Sequence, residues 1–164
     1  MAGADITADS LRCNLDYDPI TGLFRWRKDR GTAIAGNIAG CLHHSGYWQI
    51  RFQMNSVFAH RLAWLHYYGS FPIGQIDHIN GIRTDNRIAN LRDVTASINL
   101  QNYRRATSRK KSCSYLGVYK QGGRYRARIA VNGKNLHVGC FSNAEDAYAA
   151  YLKAKRSLHE GNTL

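Results

Sequence analysis

The residues best suited to chemistry in this chain of 164 amino acids fall in one stretch, IDHINGIRTDNRIANLRDVTASINLQN, residues 76 to 102. It holds an Asp-His pair, Asp77 and His78, with Asn90 twelve residues after the histidine in an N-L-R-x-V context. A second asparagine, Asn99, follows nine residues later, just inside what reads as a capped helix. One carboxylate, one imidazole and two amides at such spacings suit a hydrolytic site with a single oxygen-liganded metal. Each residue alone has a bland reading, since a lone histidine is usually structural and asparagine is common in loops and near caps. The joint pattern carries the weight.

Local signals say how these side chains would be positioned. Residues 75 to 78 predict a strand, and Asn80-Gly81 begins an excursion that holds Asp85, Asn86 and Arg87. Residues 91 to 94 return as the second strand. Thr95 is a good N-cap for a helix from Ala96 to about Tyr103. This ββα order puts Asn99 on the first turns of the helix, where it can face the end of the first strand. Upstream, D-P-I-T-G at 18 to 22 is a turn followed by a short strand around Leu23, Phe24 and Trp26. GYWQIRFQMNSVFAH alternates as two antiparallel strands turning around Met54-Asn55-Ser56. HRLAWLHYYG at 60 to 69 has helical spacing and closes on Gly69, with Pro72 beyond it. A small sheet plus a helix would thus support the motif.

The D-H-I-N-G motif with Asn90 and Asn99, and the A-H-R-L-A-W stretch before it, resemble the HNH nucleases, specifically their phage and homing-endonuclease branch. That resemblance implies one divalent metal, Mg²⁺ or Mn²⁺, bound by Asp77 and the amide oxygen of Asn99. Water and scissile phosphate oxygens would complete the shell. It implies that His78 is the general base for the attacking water, a role its ordinary pKa suits, and that Asn90 holds His78 in position. Arg83 and Arg87, beside the site, are candidate phosphate clamps, although loop arginines are solvated by default. His60 has two readings, a contact to DNA or the metal region and a satisfied histidine at a helix start.

Charge divides the chain. Residues 1 to 102 carry ten Lys/Arg against eight Asp/Glu, whereas residues 103 to 164 carry thirteen against three, so most of the net +12 lies in the last third. That imbalance points to a polyanion, nucleic acid above all. The segment YRRATSRKKSC, 103 to 113, has five basic residues and no acid and reads as a linker. Its Arg104, Arg105, Arg109, Lys110 and Lys111 suit phosphate contacts. Three strands follow, at 116 to 120, 124 to 131 and 135 to 139, with turns at Gly122-Gly123 and Asn132-Gly133. A helix then opens on the capping box Ser142-x-x-Glu145, with Ala144, Ala147, Tyr148, Tyr151 and Leu152 as its apolar stripe. Period-two alternation places Arg124, Arg126 and Arg128 on one sheet face, joined by Asn135 and His137, with Leu136 and Val138 turned inwards. A sheet with such a face can lie in a DNA major groove. Residues 115 to 161 resemble the plant Apetala/ethylene-response-factor DNA-binding domain. Ala130 and His137 stand where that family usually has Arg and Trp, so its target sequence does not carry over.

The expected fold class is therefore α+β. It comprises a ββα-metal nuclease unit with its N-terminal sheet-plus-helix support (1–102), a basic linker (103–113), and a three-stranded antiparallel sheet packed on one helix (114–164). The expected activity is metal-dependent DNA endonuclease, of homing type or associated with phage DNA packaging. The alternative is a DNA-binding regulator whose nuclease site is vestigial. Double-stranded DNA is the expected partner, with a second copy of the chain or phage packaging proteins as further candidates. Cys13, Cys41, Cys113 and Cys140 have neither zinc-ribbon nor disulfide-framework spacing. MAGADITADS lacks a signal-peptide pattern, and no apolar stretch approaches the ~18 residues that span a membrane. A cytoplasmic location is expected.

Overall fold

The Thr7 hydroxyl accepts from the Ser10 amide at 3.2 Å and starts α1 (Ala8–Asn14), satisfying a helix N-terminal donor that would otherwise lack a partner. This helix and the strand after it were not foreseen from the sequence. In the computed structural model, residues 6–102 and 113–163 are described. The linker candidates Arg104, Arg105, Arg109, Lys110 and Lys111 lie outside them. The chain forms two compact units, residues 1–95 and 96–164, each of mixed helices and small antiparallel sheets, an α+β architecture. Among the described residues no helix is long and apolar enough to cross a membrane, and the four cysteines form no disulfide.

In the first unit, β1 (Leu15–Asp18) pairs with β2 (Leu23–Trp26) in a hairpin with Asp18 opposite Leu23. Asp18 closes the turn by accepting from the Ile20 amide at 2.9 Å and the Thr21 hydroxyl at 2.7 Å. Those bonds, Thr21's first, hold its carboxyl below the usual range. A three-stranded sheet follows, β3 (Cys41–Leu42), β4 (Trp48–Phe52) and β5 (Asn55–Phe58). Its tight turn is Gln53-Met54, both at positive φ, rather than Met54-Asn55-Ser56, because Phe52 pairs with Asn55. Then α2 (Ala59–Tyr68) buries Leu62, Ala63 and Leu65 and ends on Gly69, whose φ of 82° makes the left-handed cap that glycine adopts without strain. Arg12 of α1 donates to the His66 carbonyl near that end, at 2.9 and 2.6 Å. Leu11, Leu15, Phe24, Ile50, Phe52 and Leu62 form the buried centre.

This core carries the second hairpin, β6 (Gln75–His78) and β7 (Leu91–Val94), with the bounds expected from sequence and with Asp77 opposite Arg92. Ile76 and Leu91 belong to the core cluster, which fixes the register and hence which way Asp77 and His78 face. A single 3₁₀ turn, Ile88–Asn90, leads into β7.

The second unit opens with α3 (Ala96–Gln101), which carries Asn99. The expected ββα order is therefore present in sequence but divided between the two units. Further on, β8 (Val118–Gln121), β9 (Arg124–Val131) and β10 (Lys134–Phe141) form a meander with β9 in the centre. Both turns have positive φ at their two central residues, Gly122-Gly123 and Asn132-Gly133. Then α4 (Ala144–Leu158) lays Ala147 and Tyr151 against Val118, Ala127 and Ile129. Its cap is Asn143 rather than Ser142. Asn143 Oδ1 accepts from the Asp146 amide at 2.7 Å, so the helix starts one residue later than the Ser142–Glu145 box implied.

Candidate active site

Asp77 and His78 end β6 as neighbours, and both are buried. Asp77 Oδ2 accepts from Arg92 Nε at 2.9 Å and Nη2 at 2.7 Å, a charge-assisted pair across the β6–β7 ladder. His78 Nε2 lies 3.2 Å from Asn86 Oδ1. Burial pulls the His78 pKa below its ordinary value, while Asn86, Asp77 and Asp85 oppose that shift. The ring is thus neutral near pH 7, the state a general base needs.

Asn90 does a different job from the one expected. Its Oδ1 accepts from the Asn80 amide at 2.9 Å and its Nδ2 donates to the Asp85 carbonyl at 2.8 Å. One side chain thus satisfies two backbone groups of the excursion and closes it. The side chain that meets the His78 ring nitrogen is instead Asn86, whose amide oxygen accepts, four residues earlier and carried by that same loop. Asp85 braces the loop further, accepting from Asn80 Nδ2 at 2.6 Å and from the Arg87 guanidinium at 2.7 and 2.6 Å. Arg87 is therefore tied to Asp85, and this pairing, first among the causes, holds the Asp85 carboxyl below the usual range. Arg83 donates to the Ser45 carbonyl at 2.7 Å and stacks over Tyr47 with its Cζ 5.0 Å from the ring centre. Asn99 lies on α3 in the second unit.

His60 packs edge-on to His78 with ring centres 5.2 Å apart and stacks on Phe58, with Tyr47 alongside both histidines. It is buried, and no partner stands at its Nδ1 among the described residues. Burial, followed by His78 and Arg61, pulls its pKa to about 3. The sign follows directly. Below pH 6.5, its ordinary value, the unfolded chain takes up a proton that the folded unit refuses, so stability falls as the pH drops towards 3. Between pH 6.5 and 4.5 the expected loss approaches about 1.4 kcal/mol per pH unit from this residue. Trp26, Trp48 and Trp64, the chain's three tryptophans, all lie in the first unit, so their fluorescence in denaturant titrations measures it. A His60→Phe variant should flatten that slope; an unchanged slope would contradict the assignment.

In the second unit the basic residues fall much as the alternation predicts. Arg124 and Arg128 are exposed and Arg126 half-buried, while Ala127 and Ile129 point into the core. His137 pairs with Arg128 and Asn135 with Ala130, and Arg128 lies over the Tyr119 ring at 5.1 Å. Leu136, expected to point inwards, pairs with the buried Ile129 but is itself 43% exposed. A β-bulge between His137 and Gly139 resets the alternation beyond it, so Phe141 joins Val138 in packing on the core. After the bulge Cys140 faces Arg126.

Sequence reasoning missed Asn86, Arg92 and Tyr47. Arg92 was within reach, because counting back along the hairpin from Asn90-Leu91 sets it opposite Asp77. Asn86 and Tyr47 had no comparable local signal.

Residues 57–101 match the family model of the HNH endonucleases. The match spans β6, β7 and α3 and includes Asp77, His78, Asn90 and Asn99. Neither the curated proteins nor the solved structures hold a match to this chain.

Proposed function

We propose that this protein is a metal-dependent DNA endonuclease that hydrolyses phosphodiester bonds at Asp77 and His78. The observation that carries the reading is a buried Asp-His pair at the end of a strand, with the imidazole within hydrogen-bond distance of Asn86, inside the segment that matches the HNH endonucleases. His78 takes the proton from the attacking water. Asn90 keeps the loop closed, and Arg92 fixes the Asp77 carboxylate.

The donors suit a hard cation that keeps much of its water. Among the described residues no group of three or more His, Cys, Asp or Glu side chains gathers to cage an ion. One buried carboxylate on a hairpin, together with the Asn99 amide that the sequence resemblance assigns, fits Mg²⁺ or Mn²⁺ better than a zinc cage. Such an ion supplies charge stabilisation to the transition state and to the departing 3′ oxygen.

The second unit would bind duplex DNA through the β9 arginines together with Asn135 and His137, and the linker lysines and arginines would meet phosphates. Supporting this are the concentration of charge in residues 103 to 164 and a central strand that exposes Arg124 and Arg128 while burying Ala127 and Ile129. Arg126→Ala or Arg128→Ala should cost about 1 to 3 kcal/mol on a preferred duplex and much less on a scrambled one. Neutralising Arg104, Arg105, Arg109, Lys110 and Lys111 should weaken binding to both alike and reduce the salt dependence by about one unit per lost contact. Salt titrations of affinity on the two duplexes check this. Equal losses on both for the sheet variants mean that the sheet holds DNA without reading it.

The nuclease reading is tested by incubating the full chain with supercoiled plasmid in Mg²⁺, in Mn²⁺ and in chelator. Conversion to relaxed or linear DNA with metal alone is expected. Plasmid that stays supercoiled under all three conditions contradicts it.

A further inference from the structure

We propose that Asn86 is the positioning residue that fixes the proton of the His78 ring on Nε2, and that the N-terminal β1–β2 hairpin exists in this fold to hold Asn86 in place. For its effect on catalysis the inference rests on the nuclease reading above; for its effect on the ring it does not. A neutral imidazole has one N–H and one bare nitrogen, and its partner decides which is which. An amide oxygen only accepts. With Asn86 Oδ1 at 3.2 Å from Nε2, the proton sits on Nε2 and the basic lone pair on Nδ1. Asn86 is only 3% exposed, so water competes little for that bond.

The backbone around Asn86 is gripped from the far end of the unit's sequence. Tyr17 of β1 donates its hydroxyl to the Asn86 carbonyl at 2.7 Å in a buried bond. The Ile88 amide donates to the Pro19 carbonyl at 3.3 Å. Gly22, at φ +74°, comes so close that a Cβ there would stand 2.5 Å from the Asn86 carbonyl carbon and from the Arg87 amide nitrogen. No other residue type fits that contact and that φ together. Three contacts from one hairpin therefore converge on residues 86 to 88, and Tyr17 is itself anchored by its ring against Phe24. Burial, with Asp18 and Asp85 nearby, pushes the Tyr17 phenol well above its usual pKa, so it remains a donor throughout the working pH range.

The test is long-range ¹H–¹⁵N correlation spectroscopy on the full chain labelled with ¹⁵N-histidine, metal-free and at alkaline pH, with His78 assigned from a His78→Gln spectrum. The wild type should show the Nε2-protonated pattern for His78. Asn86→Asp, which keeps an acceptor oxygen, should preserve it, whereas Asn86→Ala should shift the ring to a mixture of tautomers. Plasmid cleavage by Asn86→Ala should fall about 10- to 100-fold in kcat with KM nearly unchanged, the usual scale for a partner that orients a catalytic group, and Asn86→Asp should recover much of it. A wild-type ring protonated on Nδ1 would overturn the proposal, and that readout does not depend on any variant folding. An Asn86→Ala spectrum identical to wild type would overturn it as well. Should the wild type cut no DNA, the nuclease reading fails while the spectra still decide the role of Asn86.

Discussion

His78→Ala should reduce cleavage by about 10²- to 10⁴-fold in kcat, the range for losing a positioned general base, while DNA affinity stays nearly unchanged. The imidazole is neutral at working pH because burial depresses its pKa, and a hydrogen bond to Asn86 orients it. Its nearest imidazole cannot replace it. His60 lies 5.2 Å away, ring centre to ring centre, and is itself buried between Phe58 and Tyr47. Affinity should survive because most of the net charge lies beyond residue 102. Single-turnover cleavage and filter binding on the same preparation separate the two quantities. A variant within about threefold of wild type in rate would remove His78 from the mechanism, since a base contributes at least tenfold more than that.

Asp77→Asn should weaken metal binding by about 10- to 100-fold and move the metal concentration needed for cleavage upward to match. The amide keeps the shape of the carboxylate and an oxygen for Arg92, so packing is preserved and only the charge is lost. Asp77→Ala should do more. It leaves the Arg92 guanidinium, 27% exposed, without the carboxylate that now meets it at 2.7 Å, and a half-buried charge without its partner destabilises the hairpin. The two variants should therefore differ in unfolding midpoint while sharing the metal defect. Direct Mn²⁺ titration by electron paramagnetic resonance reads the metal alone. If Asp77→Asn bound Mn²⁺ as tightly as wild type, Asp77 would not be a ligand.

What the sequence disclosed was local. The two strands of the site hairpin were readable to the residue, because D-H-I-N-G and N-L-R-x-V bracket them with turn signals. The two glycine turns of the second sheet were equally plain. What it withheld depends on contacts between distant positions. Tyr17 and Asn86 are 69 residues apart, and nothing near either one announces the bond. Asn90 and Asn86 are chemically alike, both lie in the same loop, and only its folded path decides which side chain reaches the ring and which closes the excursion. The seven-residue α1 has too few turns for a periodic pattern, although its Thr7 cap was there to be read. The bulge in β10 brought Phe141 rather than Cys140 to the core face, since one extra residue shifts every later side chain to the opposite face.

The most direct test of the central claim is the chemistry of the cut ends. Hydrolysis by water deprotonated at His78, with the 3′ oxygen leaving, produces a 5′ phosphate and a 3′ hydroxyl. Plasmid nicked by the wild-type chain in Mg²⁺ should therefore be resealed by DNA ligase without any end repair, and His78→Ala should yield almost no nicks to reseal. Ends that carry a 3′ phosphate and resist ligase, or nicks made equally fast by His78→Ala, would contradict the account.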